Sequence, residues 1–103
     1  MTTKKYDITA IIYDKRGNIM SIGKNSYVKT HPLQARYATQ VGEPQKVFLH
    51  AEIDAIIKCK NLKRAHKIVV FRYFEDGTPA VAKPCKVCRQ AIRKTPIQYI
   101  EHT

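Results

Sequence analysis

The sequence predicts an α/β fold: a mixed sheet in the order β-β-α-β-α-β, with two helices on one face. Three features point there. A strand-turn-strand pattern opens the chain. The unbroken apolar run Ile68-Val69-Val70-Phe71 suits a central strand buried on both sides. Two amphipathic stretches then each lead into a further strand, and such β-α-β crossovers are right-handed. At 103 residues there is room for one core only, so residues 1–103 are expected to form a single domain.

Tyr6 to Tyr13 is rich in β-branched and aromatic residues and reads as the first strand. Asp14-Lys15-Arg16-Gly17-Asn18 is a turn, and Ile19 to Ile22 returns as the second strand of a hairpin. The following Gly23-Lys24-Asn25 places an amide, Asn25, at the strand end, where it can face a cleft. Ser26 to Phe48 is a long connection, usually functional in a compact domain. Pro32 can open a short helix there through Leu33, Ala35 and Tyr37, ending near Gly42. The same segment interleaves Lys29, His31, Arg36 and Lys46 with Tyr27, Tyr37 and Phe48, as a lid, a substrate wall or a platform for stacking single-stranded nucleic acid would.

Leu49 to about Lys60 has helical spacing at Leu49, Ile53, Ile56 and Ile57. The lysines and arginines that crowd its end suit the helix dipole. Lys67 to Phe74 is the third strand and Glu75 to Pro79 a turn. Pro84 to about Lys94 is a second helix, Pro96 ends it, and Ile97 to Ile100 is the last strand. With both helices on one side, strand three still alternates Ile68, Val70 and Phe74 against Val69, Phe71 and Tyr73. Two apolar faces and one helix layer leave a patch that predicts a homo-oligomer.

Nineteen Lys and Arg against eight Asp and Glu give a formal charge of +11, a field that attracts phosphate on a nucleotide or along a polynucleotide. No stretch approaches the roughly 20 apolar residues of a membrane span, and no secretory h-region is present. Three cysteines, two of them in a C-x-x-C, fit reduced thiols and metal better than disulfides, which points to the cytoplasm.

The chemistry concentrates in His50-Ala51-Glu52 and Pro84-Cys85-Lys86-Val87-Cys88. His50, Cys85 and Cys88 make three zinc ligands, and a catalytic zinc keeps its fourth place for water. His50 and Glu52 lie about 200° apart around a helix. They can still both reach an ion beyond the helix N-terminus, and Cys85 and Cys88, one turn apart, grip it from the opening turn of the second helix. Such an ion brings the pKa of its water to about 7, and Glu52 can move that water's proton. Attack at an amidine-like ring carbon with loss of ammonia suits this equipment. The competing reading is a closed structural site with a fourth protein ligand. Cys59 lies about 13 Å along the helix from His50 at 1.5 Å per residue and is read as core. His31, His66 and His102 lack diagnostic spacing.

The H-x-E and P-C-x-x-C elements resemble those of the cytidine deaminase-like superfamily, over roughly residues 6–101. The resemblance implies a three-layer-type fold, reduced here to a minimal core because helices usual before the first strand and after the last have no counterpart. It also implies Zn2+, Glu52 as proton shuttle, Asn25 against the sugar, and the Ala51 and Pro84-Cys85 backbone lining the substrate pocket. His50 to Ile56 is similar to the deoxycytidylate deaminases, with Asp54 where they usually carry Asn. Cys88-Arg89-Gln90 is similar to the free cytidine deaminases. The expected activity is zinc-dependent deamination of cytosine in a nucleoside or nucleotide. The alternatives are cytosine or adenine in single-stranded RNA or DNA, and a non-catalytic nucleic-acid-binding zinc module.

Overall fold

A computed structural model describes residues 7–103; Tyr6, where the first strand was expected to begin, lies outside them. Strands β1 (Asp7–Asp14) and β2 (Ile19–Lys24) form the antiparallel hairpin. Its turn places Gly17 at φ +86°, a conformation that costs a residue without Cβ little. The Asp14 carboxylate accepts the N–H groups of Arg16 and Asn18, both at 2.9 Å. β1 pairs antiparallel with β3 (Ala65–Tyr73), which pairs parallel with β5 (Tyr99–His102) and, over its last residues, antiparallel with a short β4 (Pro79–Ala80). The helices are α1 (Pro32–Gln40), α2 (Ala51–Lys58) and α3 (Lys86–Arg93). The mixed α/β sheet with α2 and α3 on one side is as expected; β4 and a 3₁₀ turn at Leu62–Arg64 are additions.

Three boundaries differ for local reasons. Leu49 does not open α2: its N–H donates to the Lys29 carbonyl and its own carbonyl accepts from Ser26, both at 2.9 Å. That pairing holds it extended and leaves His50 as N-cap. Likewise Cys85, not Pro84, is the N-cap of α3. The last strand begins two residues late, because the Thr95 hydroxyl accepts the Ile97 N–H at 3.2 Å. The Gln98 N–H then donates to His66 at 2.9 Å before the ladder starts.

Register assigns the faces. The row Ser21–Ile12–Ile68–Ile100 and the row Gly23–Ala10–Val70–His102 point toward the helices. Ala10, Ile12, Ile68 and Val70 are buried there with Ile53, Ala55, Val87 and Ile92 of the helices. α2 lies directly on β2: a Cβ at Gly23 would come within 2.2 Å of the Ala51 carbonyl oxygen and 2.3 Å of the Ala55 nitrogen. The Ser21 hydroxyl donates to the Ala55 carbonyl at 2.8 Å. The row Ile22–Ile11–Val69 points the other way, with Tyr13, Phe71 and Tyr73 beside it. The described residues lay no helix over that face.

Candidate metal centre and its cleft

Both helix starts deliver their ligands from the N-cap. His50 and Cys85 have extended backbones, and neither side chain is spent on capping its own helix. Cys88 follows one turn into α3. The His50 Nδ1 lies 3.2 Å from the Cys88 sulfur and 3.5 Å from the Cys85 sulfur. Ligand atoms of these three residues lie within 4.8 Å of one another. A tetrahedral zinc with bonds of about 2.0–2.3 Å needs roughly 3.5 Å between nitrogen and sulfur, so the donor set and its spacing fit zinc. Among the described residues no fourth His, Cys, Asp or Glu joins the group.

The other candidate ligands have ordinary places. His31 caps α1 by accepting the Leu33 N–H at 3.0 Å. The His66 ring meets Tyr99 edge-on, and the His102 Nδ1 lies 2.9 Å from the Thr103 carbonyl. Cys59 is buried in the core at the end of α2.

Ionisation in the cluster is uneven. The Cys85 thiol is brought down to about 3, first by the hydrogen bond from Cys88 and then by His50, against the opposing effect of burial. Cys88 is pushed up by the same bond and by burial, and keeps its proton. His50 is raised chiefly by its hydrogen bond to Cys85. Although Nδ1 is nearer the Cys88 sulfur, Cys85 carries the charge, because it is the less buried thiol and Cys88 donates to it. Zinc requires both thiols ionised and the imidazole neutral, so an ion held here would displace the Cys88 proton.

Glu52, in the first turn of α2, is 6 % exposed. Burial pushes its carboxyl up, toward the range useful for proton transfer near neutral pH. It borders a cleft of about 460 Å³ with His50, Ala51 and Cys85. The long connection supplies one wall, through Ser26, Tyr27, Gln45, Lys46 and Phe48. Tyr27 and Phe48 are 44 % and 47 % exposed, so ring surface is open at the mouth. Lys46 pairs with Glu43 at 3.2 Å, while Arg72 and Lys83 add cationic lining.

Asn25 also lines the cleft, tied at the end of the hairpin by the Ile8 N–H donating to its Oδ1 at 3.1 Å. Pro84 does not line it. The Pro84 ring is buried and faces a separate cleft on the α3–β5 side, so Lys83 and Cys85 form this wall instead.

Residues outside the candidate ligand set hold the site in place. Gln34 of α1, with no exposed surface, accepts the His50 N–H at 3.2 Å and donates to the Lys46 carbonyl at 3.0 Å. Asp54 accepts the Lys24 N–H at 2.9 Å and pairs with Lys58 at 2.8 Å, locking the end of β2 to α2. The only sequence signal for Gln34 was a polar side chain on a helix that had to bury one face.

Residues 1–101 match the family described as the cytidine and deoxycytidylate deaminase zinc-binding region. No curated protein matches the chain.

Proposed function

Because the chain belongs to the cytidine and deoxycytidylate deaminase zinc-binding family and its cofactor is zinc, we propose that it hydrolyses the exocyclic amine of cytosine carried on a nucleoside or nucleotide. The observation that supports this best is the juxtaposition of the His50-Cys85-Cys88 group with buried Glu52 at the floor of one open cleft.

In this reading His50, Cys85 and Cys88 hold the ion, which supplies an acidified water at neutral pH. Glu52 carries one proton of the attacking water to ring nitrogen N3 and the second, from the new C4 hydroxyl, to the departing amine. The water oxygen adds at C4, the C4–N bond breaks, and uracil and ammonia remain. Asn25 holds the sugar, and the backbone of Ala51 and Cys85 holds the base edge. Lys83 and Arg72 favour phosphorylated forms, in keeping with the net charge of +11.

Ammonia release is the test, run on metal-analysed protein with cytidine, deoxycytidine, deoxycytidylate, adenosine and single-stranded DNA and RNA. Release from cytosine substrates that vanishes in Glu52→Gln supports the reading. Zinc-loaded protein that binds nucleic acid yet releases nothing replaces it with the non-catalytic module.

We also propose that two copies meet through the uncovered sheet face. Its cations are compensated: Lys24 pairs with Asp7 at 2.7 Å and Lys67 with Glu101 at 3.2 Å. On a chain of this charge, such a face lets a second copy approach without like-charge repulsion. Light scattering at micromolar concentration should give at least twice the chain mass; a monomer overturns it. Among the described residues no helix is long and apolar enough to cross a membrane. With three free cysteines, we place the chain in the reducing cytoplasm.

A further inference from the structure

A second cleft, of about 440 Å³, lies between α3 and β5 and plays no part in the deamination chemistry. Its floor is apolar, made by Pro84, Ile92, Ile97 and Ile100, and its rim carries Lys83, Arg89, Arg93 and His102 with no carboxylate among the lining residues. Arg89 and Arg93 stand one turn apart, on the same side of α3. Both are exposed. The ion pairs of the described residues use other lysines, so these guanidinium groups are not neutralised from within.

The second cleft adjoins the first. Lys83 lines both, Cys85 lines the metal-side cleft and Pro84 the other. Three residues of backbone form the partition, which spans about 10 Å at most. A lone phosphate would have no use for an apolar floor, and an apolar ligand none for three cationic side chains. A nucleotide needs both, since its base faces are apolar and its linkage is anionic.

We propose that this cleft holds the nucleotide next to the target base, its phosphodiester on Arg89 and Arg93, so that the substrate extends from a nucleotide to a single-stranded polynucleotide. The proposal rests on the deaminase reading only for what fills the neighbouring cleft.

The test is fluorescence anisotropy with labelled single-stranded DNA and RNA oligonucleotides across a salt series, on the zinc-loaded protein. Arg89→Ala/Arg93→Ala should weaken oligonucleotide binding about tenfold. It should also flatten the dependence of log K on log salt by about 0.7, the loss of one phosphate contact on a single strand. Arg89→Lys/Arg93→Lys should keep most of the affinity. Lys15→Ala/Arg16→Ala, at the hairpin turn and outside the lining of this cleft, should change the affinity by much less. Unlabelled mononucleotide and inorganic phosphate should compete poorly with the strand, and turnover of free cytidine should be untouched by the Arg89/Arg93 changes.

Unchanged affinity and slope in the Arg89/Arg93 variant overturn the proposal, as does an equal loss in the Lys15/Arg16 variant or full competition by phosphate. Binding that responds as predicted with no ammonia released from any substrate would sink the deaminase reading and leave this one standing. Ammonia from free cytidine with no strand bound would do the reverse.

Discussion

The two faces of the sheet come from alternate residues of the same strands, yet they are built to different tolerances. On the helix side β2 approaches α2 so closely that Gly23 has no room for a methyl group, and Ser21 and Asp54 pin the two together. One row away, Ile22, Ile11 and Val69 carry larger side chains that meet no helix, and Ile22 is 48 % exposed. The difference teaches where precision is needed. α2 must present His50 and Glu52 to the cysteines of α3, so its seat on the sheet is specified atom by atom. The opposite face has no site to place and needs only apolar character.

The contrast can be broken first at the site end of the covered face. Glu52→Gln should lower kcat by at least about a hundredfold while zinc content and melting temperature hold, read by steady-state kinetics, metal analysis and calorimetry. Zinc removal comes next. An ion held by His50, Cys85 and Cys88 would tie α2 to α3, so chelation should withdraw about 4 kcal/mol of stability if free zinc stood a thousandfold above Kd. The lost melting temperature should return on adding zinc back. Gly23→Ala should destabilise by about 3 kcal/mol or more, because the clash is with α2 backbone rather than a movable side chain; denaturant titration measures it. Ile11→Lys, on the bare face, should cost the monomer much less and instead dissociate the oligomer in light scattering, which separates the two faces directly.

The smallest effect belongs to the hairpin turn, away from both faces. Asp14 is held below its ordinary 3.8 by hydrogen bonds from Asn18. A depressed folded value stabilises above the unfolded pKa, so this contribution is present above about pH 4 and fades as the pH falls through the lowered value. Asp14→Asn should remove that acid dependence and leave neutral-pH melting almost unchanged.

Much of this was legible in the chain. The hairpin, the central strand, the helices that follow His50 and Cys85, and the grouping of His50, Cys85 and Cys88 follow from local pattern, because a period of two or 3.6 and a C-x-x-C spacing are properties of consecutive residues. The helix starts were less legible. Leu49 has helical spacing with Ile53, but a backbone pairing with Lys29, twenty residues earlier, pulls it into extended structure. Gln34 reached the His50 backbone and Lys83 reached both clefts by routes no spacing encodes, and Pro84, inside a motif, turned toward the other cleft.

The sequence by itself determined which atoms could bind zinc, which carboxylate could move a proton beside it, and that the strands would carry apolar residues on both faces. These are matters of residue chemistry and short-range period. Tertiary structure alone decided that Gly23 is where the sheet touches α2, that Gln34 holds the backbone of His50, and that a partition of three residues divides two basic clefts. Each depends on segments far apart in the chain meeting at a few ångströms, a distance that close packing sets and local pattern does not.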